Sequence, residues 1–74
     1  MNVTIKLFAY FRDSRFKIEN RDLDEGTTVG NVVDSLNISR EEMGVAMINS
    51  RHATFDTELR ENDVLAIFPV IGGG

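Results

Sequence analysis

Val64-Leu65-Ala66-Ile67-Phe68 is an unbroken run of five apolar residues near the C-terminus. In a β-strand alternate side chains point to opposite faces, so this run would be apolar on both faces of its sheet. Strands of that kind lie in the interior of a sheet and not at its edge. The sequence therefore predicts a central strand here, preceded by a turn at Glu61-Asn62-Asp63.

The N-terminal residues supply a strand to pair with this central one. Apolar and polar residues alternate over 3–7, which is the period of two typical of a half-buried strand. The apolar run continues to Phe11, and a second strand with Phe16 and Ile18 on one face is expected after it. The pattern predicts an N-terminal hairpin whose first strand lies beside the last strand of the chain.

A helix is predicted after the turn at 24–26, with Thr27 or Thr28 as its N-cap and Asn37 as its end. Gly30 near its start is unfavourable in a helix. Either it permits close approach of the helix to the sheet, or it has no particular role. The apolar residues of this segment recur at intervals of three and four, so that they form one helical stripe: Val29, Val32, Val33 and Leu36.

These elements predict an α+β fold of the β-grasp type. Residues 45–48 are expected to form a further strand, a short strand after them is left open, and Phe55 and Leu59 are expected to anchor the core. The main helix must bury its stripe, so it would pack on one face of a mixed sheet of four to five strands. The other face would be uncovered and would expose an apolar patch suited to a partner, formed by Phe8, Ala66 and Phe68.

Composition limits the range of functions. The chain has 74 residues, no cysteine, one histidine and a net charge of -4, from 12 acidic and 8 basic residues. This charge argues against nucleic-acid binding, and a single histidine without cysteine argues against a metal cluster. The sequence predicts no membrane-spanning segment and no signal peptide, so the expected compartment is the cytoplasm. No pair of carboxylates stands out as a catalytic acid and base, so the chain is not expected to be an enzyme.

Residues 70–74 are expected to form a flexible glycine-rich tail on a domain of residues 1–69. Pro69 fixes φ and cannot donate to a sheet ladder, so it would stiffen the base of the tail. Glycine has no Cβ and fits a narrow channel. Five extended residues would span about 17 Å, at about 3.4 Å per residue. A frayed terminus and an expression-vector remnant are the alternatives.

Four segments together carry a family resemblance. They are IKLFAYFRD at 5–13, the helix entry at 26–36, the turn region at 55–64 and the tail FPVIGGG at 68–74. With these the chain resembles the ThiS/MoaD group of sulfur-carrier proteins, which are ubiquitin-like. The first segment is similar to the opening strand of molybdopterin synthase small subunits, and the tail is the most specific match.

Two tail positions depart from that pattern. Val70 stands where molybdopterin-type tails usually have a second proline, and Gly72 occupies the place of a small residue before the last two glycines. Val70-Ile71 followed by glycines also resembles the carriers of the thiamine pathway. The opening strand and Phe68-Pro69 favour molybdenum cofactor biosynthesis, with thiamine thiazole biosynthesis as the alternative.

The resemblance implies that Gly74 carries the chemistry. Its carboxylate would be adenylated by a ubiquitin-activating-type enzyme and converted to a thiocarboxylate, which donates sulfur. ATP and magnesium would be used by that enzyme, and no cofactor would be bound by this chain. The other implied partners are a sulfur donor protein and a large synthase subunit, of molybdopterin synthase or of thiazole synthase. The expected partner-binding residues are Phe8, Phe68, Pro69, Val70, Ile71, Gly72 and Gly73.

Two other classes of protein remain open at this point. One is a plain β-grasp interaction module, which would bind through the sheet and make no use of its tail. The other is a ubiquitin-like modifier, whose C-terminus would form isopeptide bonds with lysines of other proteins.

Overall fold

The computed structural model describes residues 1–70. Within these residues two 3-10 helices, Ala9–Arg12 and Arg40–Glu42, connect the larger elements. The five strands and the α-helix of the described chain are β1 (Asn2–Leu7), β2 (Ile18–Asp22), α1 (Val29–Ser35), β3 (Met43–Ile48), β4 (Arg51–Ala53) and β5 (Val64–Pro69). In the same 70 residues, no helix combines the length and the hydropathy that a membrane crossing would need.

β5 is the central strand, as predicted. The strand order is β2-β1-β5-β3-β4, with β1 and β5 parallel and every other neighbouring pair antiparallel. Leu65 and Ile67 are fully buried on one face, whereas Val64, Ala66 and Phe68 are half-buried on the other. The mixed sheet has five strands because the short strand left open by the sequence is present as β4, and the β-grasp architecture is confirmed.

α1 begins and ends where local chemistry favours a helix boundary. Thr28 is the N-cap: its Oγ1 accepts from the Asn31 backbone N–H at 3.2 Å, and the Asn31 side chain accepts from the Thr28 N–H at 3.0 Å. Asn37, with a φ of +60°, turns the chain away after the last helical turn. The whole predicted stripe is buried in one cluster with the inward residues of the sheet, which are Val3, Ile5, Leu7, Ala46, Leu65 and Ile67.

The first strand is shorter than the apolar run predicts. β1 ends at Leu7, and the following 3-10 helix turns Phe11 into the core, where it is 1% exposed. Arg12 stabilises this turn of the chain, because its Nε donates to the Leu7 carbonyl at 2.7 Å. That bond satisfies a carbonyl oxygen at the end of the strand.

The second strand begins later than predicted. β2 starts at Ile18, which is 59% exposed, and Phe16 lies before the strand and packs against the core. The expectation that these two residues share one face of a strand was wrong. Outside the strand, the Phe16 ring packs against the core cluster, which removes apolar surface from water, and the Arg21 guanidinium lies 5.3 Å from its centroid.

Gly30 makes room for an arginine and not for the sheet. A Cβ at this position would lie 2.6 Å from Nη2 of Arg40. The Arg40 guanidinium donates to both carboxylate oxygens of Asp34, at 3.1 and 3.0 Å, and its Cζ lies 4.9 Å from the ring centroid of Phe55. One side chain thus joins α1, the Arg40–Glu42 3-10 helix and the loop that follows β4.

This contact predicts a measurable titration. The hydrogen bond from Arg40, aided by its charge, lowers the pKa of Asp34 and outweighs the opposing effect of desolvation. Arg40→Gln should therefore raise the pKa of Asp34 toward its ordinary value, which NMR titration of the carboxylate would detect. Since the folded-state pKa is the lower one, the pair stabilises the fold above about pH 4. That contribution is lost as the pH falls through the folded pKa.

The control for this titration is Arg51→Gln, which removes an exposed arginine of β4. It should leave the pKa of Asp34 where it is. An unchanged Asp34 titration in Arg40→Gln would contradict the assignment.

Candidate functional site

The predicted site residues that the structure describes lie near the C-terminal end of β5. Phe68 lies on the face of the sheet opposite α1, which we call the open face, and Phe8 follows directly after β1. Pro69 is buried at the end of β5, and Val70 is 58% exposed. The remaining predicted residues lie outside the described part of the chain: Ile71, Gly72, Gly73 and Gly74.

Two aromatic rings from different ends of the sequence form the centre of this region. Phe8 and Phe68 are stacked, with ring centroids 4.2 Å apart and an interplanar angle of 15°. The guanidinium of Arg12 lies 5.1 Å from the ring centroid of Phe8. Because Arg12 also bonds the Leu7 carbonyl, it fixes the chain that carries Phe8 and contacts its ring. The stack forms an apolar surface beside the last residues of β5.

A shallow groove continues this surface toward the C-terminus. We call it the tail-base groove, and it is lined by Gly44, Val45, Met47, Phe68, Pro69 and Val70. Val45 and Val70 are among the most exposed large apolar residues of the described chain. A surface of this kind suits contact with another protein. The participation of Phe8, Phe68, Pro69 and Val70 in such a contact stays a prediction.

The last described residue is held by Glu42, the residue directly before β3. Pro69 pairs with Met43 in the antiparallel register of β3 and β5, but proline has no N–H to donate. The N–H of the next residue, Val70, donates to the carbonyl of Glu42 at 2.9 Å. The base of the predicted tail is thus attached to the end of the Arg40–Glu42 3-10 helix by one backbone hydrogen bond beyond the end of β5.

Gly44 lies directly against this attachment. The register of β3 and β5 shifts between Met43 and Val45, so that Gly44 sits in a β-bulge. A Cβ at Gly44 would lie 2.8 Å from the carbonyl oxygen of Pro69 and 3.0 Å from Cα of Val70. The backbone of the tail base therefore occupies the space that any other residue at position 44 would need.

Sequence reasoning missed several residues of this region. The sequence predicts this strand over residues 45–48 only, whereas β3 begins at Met43 and includes Gly44. An isolated glycine at the start of a strand is a recognised sign of a bulge or of close backbone approach, so Gly44 could have been found. The contact of Arg12 with Phe8 had no comparable sign, because it depends on the turn that the chain makes after Leu7.

The described residues of this region offer a surface for contact with another protein. In residues 1–70 there is no group of three or more His, Cys, Asp or Glu side chains placed to hold a metal ion. The region presents an apolar surface and a bulge that accommodates the backbone of Pro69 and Val70.

Comparisons with known proteins agree with this architecture. The sequence profile of the ThiS family matches residues 5–74. A search among curated proteins finds no significant match. A protein from Pyrococcus furiosus described as molybdopterin converting factor, subunit 1, superposes with a TM-score of 0.78 at 24% identity, covering 96% of this chain and 99% of that one.

Two further solved structures share the fold. SAMP1 from Haloferax volcanii, a small archaeal modifier protein, has a TM-score of 0.78 at 23% identity and is covered completely, as is this chain. A complex of subunits 1 and 2 of molybdopterin-converting factor from Helicobacter pylori contains a chain with a TM-score of 0.65 at 15% identity, again with complete coverage of both.

Proposed function

The chain belongs to the ThiS family, and from this premise we propose that it is a cytoplasmic sulfur carrier whose C-terminal Gly74 is converted to a thiocarboxylate. The observation that carries the proposal is the extent of the family match, which continues through the tail to Gly74. The geometry supports it, because the central strand of the sheet leads directly into that tail at the tail-base groove.

The proposed chemistry takes place at one carboxylate. A terminal carboxylate has a pKa of about 3.5, so at neutral pH it is ionised and a poor acyl donor. An oxygen of the Gly74 carboxylate attacks the α-phosphorus of ATP, and pyrophosphate leaves with the electrons of the broken P–O bond. A sulfide equivalent from a sulfur donor protein then attacks the carbonyl carbon of the adenylate, and AMP leaves. The product is a thiocarboxylate, whose sulfur is a good nucleophile.

The catalytic groups for these steps belong to partners. ATP and Mg²⁺ are bound by a ubiquitin-activating-type enzyme, which supplies the Lewis acid and the phosphate contacts. This chain supplies the body that docks and the carboxylate that reacts. Phe8, Phe68 and the exposed Val70 are the residues we assign to docking, since they form the apolar surface around the exit of the tail.

We propose molybdenum cofactor biosynthesis as the pathway. The opening strand of the chain and Phe68-Pro69 are the features that favour it. A chain of the same fold forms a complex with subunit 2 of molybdopterin-converting factor in Helicobacter pylori, and we propose a large synthase subunit as the corresponding partner here. Thiamine thiazole biosynthesis is the alternative, because Val70-Ile71 followed by glycines also resembles the tails of thiamine-pathway carriers.

Protein modification is the second candidate function. It is favoured by the shared fold with SAMP1, which is named as a modifier. A carrier and a modifier both need an activated Gly74, so the fold and the adenylation step do not separate them. The fate of the activated carboxylate separates them.

Mass spectrometry of the protein purified from its own cells tests the proposal. A carrier gains the mass of one sulfur-for-oxygen exchange at Gly74, whereas a modifier is recovered as conjugates with other proteins. A variant that lacks Gly73 and Gly74 is the matched control and should lose either product. If the truncated protein supports sulfur transfer as well as the intact one, the chain is an interaction module and the proposal is wrong.

The pathway is tested separately, by binding. The intact protein should be captured by a molybdopterin synthase large subunit and should not be captured by a thiazole synthase. The reverse result would assign the chain to thiamine synthesis and leave the carrier chemistry unchanged.

A further inference from the structure

We propose that Gly44 is a positioning residue for the C-terminal tail, an inference that rests on the proposed function. Its missing side chain allows the backbone of Pro69 and Val70 to lie against Gly44 of β3, and the carbonyl of Glu42, the residue before β3, accepts the Val70 N–H. The bulge and the hydrogen bond together set the direction in which the residues that lead to Gly74 leave the domain.

The backbone next to Gly44 leaves no room for a side chain. A Cβ at position 44 would stand 2.8 Å from the Pro69 oxygen and 3.0 Å from both the Pro69 carbonyl carbon and Val70 Cα. Ordinary contact begins at 3.4 Å, so the two backbones would have to separate by about half an ångström. The atoms involved are main-chain atoms of the strand end, which cannot rotate away as the end of a long side chain can.

A side chain at position 44 would displace the tail base more easily than β5. β5 is hydrogen-bonded to β1 and β3 along its length, and Leu65 and Ile67 are fully buried. Beyond Pro69 the described chain keeps only the single bond from Val70 to Glu42. Separation at Gly44 is therefore expected to break that bond first, while the rest of β5 keeps its place.

The Val70–Glu42 bond is relevant to activation because the residues that lead to Gly74 begin there. Four residues follow Val70, and when extended they span about 14 Å. An attached base restricts the directions in which these residues can start, so Gly74 has fewer positions to sample before it reaches a reacting geometry, where an error of about 1 Å can cost about a hundredfold in rate. A base held by Glu42 therefore favours entry into a partner's active site.

A substitution at Val70 provides a second, independent test of the Val70–Glu42 hydrogen bond. Molybdopterin-type tails, which this tail otherwise resembles, usually have proline there; a proline could not donate to Glu42, but its ring fixes φ and so restricts the tail base without that bond. Val70→Pro removes the N–H and leaves the sequence of β3 unchanged. It therefore tests the same contact even if a side chain at position 44 interferes with folding.

The experiment compares wild type, Gly44→Ala, Val70→Pro and the double variant. In the free protein, the amide of Val70 should exchange with solvent at least about tenfold faster in Gly44→Ala, because its bond to Glu42 is lost. With the activating enzyme, kcat for adenylate formation should fall about tenfold, while KM changes little, since docking is retained. Glu41→Ala, an exposed change in the same 3-10 helix as Glu42, should alter neither value.

The double variant decides between positioning and a general structural effect. If Gly44 acts through the Val70 bond, Gly44→Ala should have little further effect on kcat in the Val70→Pro background. Additive losses, or an unchanged Val70 exchange rate in Gly44→Ala, would overturn the inference. Equal kcat values for wild type and Gly44→Ala would also overturn it and leave the proposed function standing. Failure of the wild type itself to be adenylated would overturn the proposed function.

Discussion

Tryptophan in place of Gly73 should reduce adenylate formation on Gly74 by about 10- to 100-fold in kcat/KM and leave the melting temperature unchanged. The tail must enter the active site of another protein, and a glycine fits a channel that a large side chain does not. Forcing extra volume into a packed site costs about 1–3 kcal/mol, and about 1.4 kcal/mol of barrier corresponds to a factor of ten.

The fold should be unaffected because position 73 comes after β5 in the sequence. β5 ends at Pro69, which is also the last buried residue of the described chain. The measurements are pyrophosphate release with the activating enzyme and thermal unfolding by calorimetry. Normal adenylation in Gly73→Trp would show that this part of the tail is not threaded through a narrow channel.

Two further variants calibrate this result. Gly73→Ala adds one methyl group and should cost less than the tryptophan. Glu25→Trp places the same large side chain on an exposed position in the turn before α1 and should leave kcat/KM unchanged. A graded loss at position 73, with no loss at position 25, assigns the effect to the width of the channel and not to a general effect of a surface tryptophan.

The framework of the fold could be predicted from sequence because its elements are fixed by regular patterns. The apolar run at 64–68 predicts a strand buried on both faces, and β5 is the central strand. The stripe from Val29 to Leu36 and the Thr28 cap predict α1 almost to its boundaries. These patterns are local and periodic, so they can be recognised without knowledge of the tertiary contacts.

The site was less predictable because it depends on contacts between distant segments. Phe8 and Phe68 were expected on one face, but their stacking and the cover by Arg12 follow from the 3-10 helix after β1. The Val70–Glu42 bond likewise depends on the bulge at Gly44, which brings two separate segments of the chain together. Ile71 to Gly74 lie outside the described residues, and their roles stay predictions, which the family match over residues 5–74 supports.

The second large effect is expected at the core of the strand that carries the tail. Ile67 is 0% exposed and pairs with Leu7 on one side and Ala46 on the other. Truncating a buried isoleucine to alanine costs about 2–5 kcal/mol. A domain of 74 residues has a free energy of unfolding of about 4–11 kcal/mol, at about 0.05–0.15 kcal/mol per residue. Ile67→Ala should therefore remove a large share of the total stability.

Urea and thermal unfolding measure this loss. The melting temperature of Ile67→Ala should fall by roughly 10–30 °C, since 1 kcal/mol corresponds to about 4–8 °C in a domain of this size. Ile18→Ala makes the same chemical change in β2, where the side chain is 59% exposed, and should cost less than about 1 kcal/mol. Similar losses at the two positions would contradict the assignment of β5 to the centre of the core.

Ile67→Ala should reduce adenylation through a loss of stability, whereas Gly73→Trp should reduce it without one. This difference is a direct test of the carrier hypothesis. Ile67→Ala loosens β5 and with it the attachment of Val70, so any loss of adenylation should follow the loss of folded protein and recover at lower temperature. Gly73→Trp should be folded at every temperature at which the wild type is folded and should still fail to react. If adenylation instead followed the folded fraction in both variants, the body alone would determine activation, and the tail would have no specific role.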